Sequence, residues 1–442
     1  MELVDWLRDP SAHRRLWQLA APMMLSNVSI ATLGLVDTAV IGHLNHASYL
    51  AGIAIAAVLF DFLYWGVTFL RMGTTGIVAQ VHGAKNVQRM RSTLRDALVV
   101  GMVIAVAMLI ARQEIIEFGL TIIHGSAESS VHAAQFFSIK IWGAPGVLAT
   151  MVFIGWLIGM QNARAAMMLA TLPCLFHAVL DILFVVYFEL EVAGAAYAAL
   201  ITAYVSAALG GWLVARELRR YETIKLGKLS WADARQLLLL NWNILLRTLC
   251  LIGTFAFFTH QGARQGDSIL AANAILLNFQ MLTALALDGF ANALEALVGR
   301  SIGASSRARF LSSIIVGASW SIVSAILFVL FYATVGSSLI SLLTSLAEVR
   351  AEAEKYLIWA VISPLVSVAG FFFDGIFIGA TKGREMRNAM MFSTFVVFVP
   401  AWYGLREFGN HGLWVAFLLF FTARGISMGW YFYEIDRRRA FI

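Results

Sequence analysis

The chain has 442 residues, of which 60% are hydrophobic and only 13% are charged. Soluble domains carry about 25% charged residues, so the composition excludes a soluble globular protein and predicts an all-α integral membrane protein. The net charge of +6 would suit a nucleic-acid-binding protein. However, the basic residues fall in short loops between apolar segments, which is typical of cytoplasmic loops, and we expect no nucleic-acid partner.

Twelve segments reach the roughly 20 mostly apolar residues that a membrane-spanning helix needs. They are 16–43, 50–80, 93–112, 130–158, 166–187, 194–215, 236–262, 269–299, 310–334, 353–379, 386–404 and 411–434. The loops between them alternate in charge, with 23 Lys and Arg residues on one side and 5 on the other. The positive-inside rule therefore predicts that both termini are cytoplasmic.

The chain repeats itself after a shift of 220 residues. With that shift FIGWLIGMQNAR (153–164) falls on FDGIFIGATKGR (373–384), and two shorter matches keep the same offset. Because each half then holds an even number of spans, the repeat predicts two six-helix lobes related by a pseudo-two-fold axis along the membrane normal. We expect the lobes to comprise residues 1–222 and 223–442, with a basic linker around the boundary.

The first segment carries one carboxylate, Asp37, in apolar surroundings. An ionised carboxylate at a helix centre costs roughly 2.5 to 3.5 kcal/mol, so a buried Asp tends to hold a proton. Asp181 lies at about the same depth of the fifth segment, and His177 precedes it by four residues, so both face one side of that helix. We predict a proton site of these three residues. The alternatives are a helix-packing Asp37 and a structural His–Asp hydrogen bond. The shift places Phe257 opposite Asp37, so the lobes should differ in role.

Two residues of the first segment favour bending. Pro22 removes a backbone hydrogen bond, and Gly34 lies one turn before Asp37. The alternative is that Pro22 lies in the first helical turn, where proline is tolerated.

Seven of the other charged residues inside the segments need partners, because buried charges are costly unless they are matched. They are Asp61, Lys140, Arg247, Asp288, Glu295, Asp374 and Arg424. Asp61 and Lys140 fall near the midplane and could pair, whereas Asp374 is displaced towards the cytoplasm from the central Arg247 and Arg424. We interpret the set as a structural network, with a second ion or substrate site as the alternative.

Aromatic and Met side chains of the second and eighth segments could line a cavity for polyaromatic ligands. The candidates are Phe60, Trp65, Phe279 and Met281, and core packing is the alternative for each. The sequence contains no GxxxxGK[ST] or HExxH motif and no CxxC pair. We therefore expect a transporter that is not an enzyme, is not driven by ATP, and needs no metal or other cofactor.

Four stretches resemble the multidrug and toxic compound extrusion (MATE) family in its DinF branch. They are LAAPMM (19–24), LGLVDTAVIGHL (33–44), FLRMGTTGIVAQVHGAKN (69–86) and IGMQNARAAM (158–167). The resemblance covers nearly the whole chain. It implies a monomeric proton- or sodium-coupled antiporter in a bacterial inner membrane, one that expels small-molecule drugs or toxic organic cations across the lipid bilayer.

The resemblance also implies roles for individual residues. Asp37 matches the coupling residue of the branch, Asp181 matches the fifth-helix Asp, and Pro22 matches the proline near which the first helix bends. His177 stands where the family often has Asn, and Ala199 where it often has Thr. Because two oxygen ligands for sodium would then be missing, we predict proton coupling. A sodium-coupled drug antiporter and a flippase for lipid-linked sugars from the same superfamily remain alternatives.

Overall fold

A computed structural model of the chain describes residues 6, 9–42, 47–123, 125–222 and 231–442; the side chains of residues 34–42, 47, 231–234 and 236 lie outside the described part. Within these residues the chain forms sixteen α-helices and no strand. They are α1 (Pro10–Gly42), α2 (Ala47–Gly66), α3 (Phe69–Gly83), α4 (Val87–Ile110), α5 (Arg112–Ile123), α6 (Ala127–Lys140), α7 (Ala144–Gly159), α8 (Ala163–Asp181), α9 (Glu191–Leu218), α10 (Trp231–Ala263), α11 (Asp267–Gly303), α12 (Arg307–Leu343), α13 (Ala347–Gly379), α14 (Gly383–Met391), α15 (Val399–Leu405) and α16 (Gly409–Arg437). Two segments have π-helical hydrogen bonding, Ile182–Tyr187 and Phe392–Phe398.

The helices account for the twelve predicted spans. Ten helical segments of the described residues are long and apolar enough to cross a membrane. One of them, Gly383–Arg437, contains both of the last two predicted spans. The chain turns between these two spans at Gly409, which has a φ of 56°. The first predicted span lies in α1. The additional helix α5 has only 12 residues and is too short to cross a bilayer.

The chain divides into two compact units. The N-unit comprises Leu25–Leu238, and the C-unit comprises Met1–Met24 together with Leu239–Ile442. The first half of α1 therefore packs with the C-terminal helices: the Trp17 ring meets the Phe290 ring edge-on, with centroids 5.4 Å apart. As a result α1 passes from one unit into the other.

The 220-residue repeat is visible in side-chain contacts of each unit. The Ser48 hydroxyl donates to Glu128 Oε1 at 3.0 Å, and the Ser268 hydroxyl donates to Glu348 Oε1 at 2.8 Å. Left-handed backbone recurs at the same spacing, at Lys85 and Ser305, at Gln161 and Thr381, and at Glu189 and Gly409. Since such conformations are uncommon outside glycine, three matched pairs show that the two units use the same connections between helices.

Matched glycines allow the same close helix contact in each unit. A Cβ built on Gly159 would lie 2.9 Å from the Thr75 carbonyl oxygen, and one on Gly379 would lie 2.6 Å from that of Glu295. Real Cβ atoms essentially never come within 3.0 Å of another heavy atom. The glycines therefore let the backbones of α3 and α7, and of α11 and α13, approach closely, as small residues do between membrane helices.

Candidate functional site

A buried His–Asp pair lies in the second half of α8. The Asn162 side chain caps the start of this helix by accepting a hydrogen bond from the Ala165 backbone N–H at 3.2 Å. Further along, His177 Nε2 lies 3.1 Å from Asp181 Oδ2, and the two residues are only 8% and 1% exposed. The four-residue spacing places both on one helix face, as the sequence predicts.

Irregular backbone flanks this pair on both sides. Pro173 lies inside α8 one turn before His177, and the π-helical segment Ile182–Tyr187 begins directly after Asp181. A proline removes one helical hydrogen bond, and π segments rotate the following residues and often occur at functional sites. The pair thus lies on a short regular stretch between two points where the helix is easier to deform.

The partner of Asp181 distinguishes it from the other buried carboxylates that the structure describes in the N-unit. Asp96 Oδ1 accepts from Arg95 Nε at 2.8 Å, and Glu217 lies 3.0 Å from an amino group of Arg220. Guanidinium groups stay charged at all physiological pH values, whereas an imidazole ordinarily changes its charge between pH 5 and 8. Among these three acids, only Asp181 is paired with a titratable group.

A polar contact joins α1 to α8 within the N-unit: the Thr171 hydroxyl donates to Ser29 Oγ at 3.4 Å. These helices contain the first and fifth predicted spans and therefore run in the same direction. At a rise of about 1.5 Å per residue, Asp37 lies roughly 12 Å beyond Ser29, and Asp181 roughly 15 Å beyond Thr171. The two positions thus differ in height by only about 3 Å. The Asp37 side chain itself lies outside the described residues, so the site of three residues stays a prediction.

The residues proposed to bend α1 can be placed in part. Pro22 lies inside α1, which begins at Pro10, so it is an interior proline and not one of the first helical turn. It also lies three residues before the start of the N-unit at Leu25. Position 34 is helical, but Gly34 falls in the stretch whose side-chain surroundings are not described. Bending at either residue stays a prediction.

The C-unit contains a buried cluster of two arginines and one carboxylate. Arg247 and Arg424 both donate to Oδ2 of Asp374, and the three residues are between 1% and 7% exposed. The sequence indicated all three but placed Asp374 at a different depth from the arginines. Asp288 is exposed and acts electrostatically on Arg424, and Glu295 is buried on the same helix as Asp288. The cluster alone holds one more positive than negative charge.

Lys140 and Asp61 lie in the N-unit, away from that cluster in sequence. The Lys140 ammonium lies over the ring of Phe60 at 4.7 Å and over that of Phe136 at 5.1 Å. Cation–π contacts of this kind stabilise the ammonium group of the half-buried Lys140. Asp61 is exposed and within electrostatic range of Lys140.

The four residues proposed to line a cavity divide by exposure. Phe60 and Phe279 are 2% and 3% exposed and pack against other rings, which agrees with core packing. Trp65 and Met281 are each 50% exposed. Two of the four lie in each unit, and a common cavity stays a prediction.

Three features of the helices around Asp181 were not predicted from the sequence. Pro173 is readable in the sequence and marks a weak point one turn before His177. The π-helical segment Ile182–Tyr187 has no sequence signal of its own, because a shifted hydrogen-bond register leaves the apolar pattern almost unchanged. The only sequence signal for the contact between Ser29 and Thr171 is that each is a polar residue within an apolar segment, where such residues often hydrogen-bond to a neighbouring helix.

Known proteins similar to this chain agree on one family. The MatE family model matches residues 22–183 and 244–403. DNA damage-inducible protein F of Escherichia coli (strain K12) is 40% identical over 420 residues, covering 95% of this chain and 91% of that protein. The probable multidrug resistance protein NorM of Bacillus subtilis (strain 168) is 22% identical over 445 residues, covering 96% of each chain.

A solved structure confirms the fold class predicted from the sequence. It is described as the outward-facing conformation of a multidrug resistance MATE family transporter of the MOP superfamily. It superposes with a TM-score of 0.87 at 19% identity and covers 100% of this chain and 99% of the solved one. An all-α membrane protein with twelve helices in two lobes is therefore established for this chain.

Proposed function

This chain belongs to the MatE family of multi-pass membrane transporters, and from that premise we propose that it is a secondary antiporter that exports amphipathic cations in exchange for protons. The observation that carries the proposal is the pair of His177 and Asp181, a buried acid whose partner can itself change charge. The proposed orientation has both termini in the cytoplasm of a bacterium, in its inner membrane, and the transporter acts as a monomer.

The chemistry follows from what a buried carboxylate can hold. In its ionised form Asp181, together with Asp37 on the parallel helix α1, attracts an organic cation within a medium of low dielectric constant. A proton arriving from outside neutralises the acid and removes that attraction, so that the cation leaves. His177 takes up or passes on the proton at Nε2, the nitrogen that faces Asp181 Oδ2.

Neutralisation also changes the backbone. A protonated Asp181 no longer attracts His177 as an ion, and α8 is free to adjust at Pro173 and at the π-helical segment beyond Asp181. Bending of α1 at its interior Pro22 then narrows the space in which the cation was held. Movement of the lobes carries the empty site to the cytoplasmic side, where the proton is released.

The test is efflux of a fluorescent lipophilic cation from proteoliposomes under an imposed pH gradient. Asp37→Asn and Asp181→Asn should each lower pH-driven export at least ten-fold, because neither amide can cycle a proton. Glu217→Gln is the matched control. It also removes a buried carboxylate of the N-unit, but one that accepts from Asn162 and Arg220, so export by this variant should keep its dependence on the pH gradient. Full export by a folded Asp37→Asn or Asp181→Asn variant would refute the proposal.

The same vesicles distinguish proton from sodium coupling. An imposed sodium gradient at equal pH should drive no export, because His177 and Ala199 replace two neutral oxygen ligands that the family often provides. His177→Asn separates a proton relay from a structural role: a relay predicts slower pH-driven export with unchanged equilibrium binding of the cation. Export driven equally well by sodium would replace protons with sodium in the proposal.

A flippase for lipid-linked sugars is the second candidate, and the arginine-rich cluster of the C-unit is the observation that favours it. Arg247 and Arg424 outnumber their shared Asp374, and excess positive charge suits an anionic head group. The test is translocation of a lipid-linked sugar by the wild type and by Arg424→Gln. Translocation by the wild type that is lost in a folded Arg424→Gln variant would favour this function over drug export.

A further inference from the structure

An open groove of about 480 Å³ runs along the outside of α4 in the N-unit. Seven of its lining residues lie on α4 between Arg91 and Val103 and are spaced three and four apart, so they form one continuous face of the helix. The end of α9 closes the groove at Leu218. None of these residues takes part in the proposed proton site.

The groove is polar at one end and apolar along the rest of its length. Arg91 and Arg95 lie at the start of α4, and Leu98, Met102 and Val103 follow. Arg91 and Val103 are twelve residues apart, which corresponds to roughly 18 Å along the helix. One leaflet of the hydrocarbon core is roughly 15 Å thick, so the groove has the polarity and length of one phospholipid within a leaflet.

Arg91 is held in place without being neutralised. Its Nη2 donates to the carbonyl oxygens of Leu218 at 3.3 Å and of Glu222 at 3.2 Å, both of which are neutral acceptors. Its Nε is buried and has no hydrogen-bond partner among the described atoms. Arg95, one turn further on, lines the same end of the groove and donates from Nε to Asp96. A buried, unpartnered donor beside a fixed positive charge favours an anionic oxygen at this place.

We propose that this groove binds an anionic glycerophospholipid from the leaflet on the side of the basic loops. The phosphate lies against Arg91 and Arg95, and one acyl chain lies along Leu98, Met102 and Val103. Basic pockets between membrane helices on the cytoplasmic side hold anionic lipid head groups in this way. A zwitterionic lipid binds less well, because its head group brings a cation towards two arginines.

The test is native mass spectrometry of the full-length protein with phosphatidylglycerol and phosphatidylcholine of identical acyl chains. The wild type should retain phosphatidylglycerol preferentially. Each basic residue near an anionic surface contributes about five-fold in affinity, so Arg91→Gln/Arg95→Gln should weaken phosphatidylglycerol binding by roughly thirty-fold and leave phosphatidylcholine unchanged. The matched control is Arg164→Gln/Arg384→Gln, which removes two exposed basic residues outside the groove and should preserve the preference.

A single variant and a second ligand test the proposal independently of the double variant. Arg91→Gln alone leaves the ion pair between Arg95 and the buried Asp96 in place, so it should fold and lose about five-fold in affinity even where the double variant fails to fold. Inorganic phosphate should not protect the protein from thermal unfolding, whereas phosphatidylglycerol should, because the apolar face contributes to binding. Equal retention of the two lipids by the wild type, an unchanged preference in Arg91→Gln, or equal protection by inorganic phosphate would overturn the proposal.

Discussion

Removing a member of the charge cluster in the C-unit should lower the stability of the protein by an amount that depends on which residue is replaced. Arg247, Asp374 and Arg424 together carry a net charge of +1, and both guanidinium groups contact the same carboxylate oxygen. Asp374→Asn would leave a net charge of +2 in a place that excludes water. Arg247→Gln would leave one arginine and one carboxylate, which is a neutral pair.

The magnitude follows from the geometry. Two guanidinium groups on one oxygen atom lie roughly 5 Å apart, and at an effective dielectric constant of about 20 they repel by about 3 kcal/mol. The attraction of both groups to the ionised Asp374 offsets this repulsion in the wild type, and Asp374→Asn removes that attraction. With the lost hydrogen bonds, Asp374→Asn should destabilise the protein by about 3–5 kcal/mol, as is usual when one partner of a buried ion pair is removed. For a unit of about 200 residues this lowers the melting temperature by roughly 6–20 °C. Arg247→Gln should cost clearly less.

The assay is thermal unfolding of the purified full-length protein in detergent, followed by tryptophan fluorescence. Asp288→Asn is the control, because Asp288 is an exposed carboxylate that also acts on Arg424; its loss should change stability by less than about 1 kcal/mol. An Asp374→Asn variant that melts at or above the wild type, or an Arg247→Gln variant that melts below Asp374→Asn, would contradict this prediction.

Two further predictions concern packing and the N-terminus. Gly155→Ala and Gly375→Ala should each destabilise the protein by about 1–3 kcal/mol, because each new Cβ would fall within 3.0 Å of a neighbouring carbonyl oxygen. Gly253 has open space around it, so Gly253→Ala is the control and should leave the stability unchanged. Equal melting temperatures for all three variants would contradict this prediction. The hydrogen bond from the Ser11 hydroxyl lowers the pKa of Asp9, which also accepts from the Ser11 backbone N–H. Ionised Asp9 therefore stabilises the folded state above the pKa that Asp9 has in the unfolded chain, and this contribution disappears as the pH falls through the lowered pKa of the folded state. In Ser11→Ala, carbon-detected NMR titration should show the pKa of Asp9 rising towards its usual value. An unchanged pKa of Asp9 in this variant would contradict the assigned cause.

Hydropathy was sufficient to place the helices but not their ends. The predicted span 353–379 corresponds to α13, which begins earlier, at Ala347. The first turns of α13 contain the charged residues Glu348, Glu352 and Lys355. A search for apolar segments therefore leaves these turns out, although their backbone is helical. Membrane helices extend beyond the hydrocarbon core into the polar head-group region, and an apolar pattern cannot detect that extension.

Partners across the chain could not be predicted from the sequence. Asp374 is 127 residues from Arg247 and 50 from Arg424, and depth estimates from span boundaries carry errors of a few residues. Such errors are enough to separate groups that in fact share one oxygen atom. By contrast, the pair of His177 and Asp181 was predictable, because a spacing of four residues fixes their relation through helix geometry alone.

The repeat preserves the scaffold and changes the chemistry. A shift of 220 residues relates the helix ends, the serine–glutamate hydrogen bonds and the close glycine contacts of the two units. It also pairs Asp181 with Ala401, and Asp374 with Ile154. Asp181 and Asp374 are thus two buried acids at positions where the other unit has an apolar residue.

The partners of the two acids separate their roles. The acid of the C-unit contacts two guanidinium groups, whose charge is permanent, and that arrangement suits a fixed structural element. The acid of the N-unit contacts an imidazole, whose charge can change near neutral pH. We therefore propose that coupling takes place in the N-unit: a proton arriving there would change the charge balance around Asp181, whereas the arginines around Asp374 keep their charge.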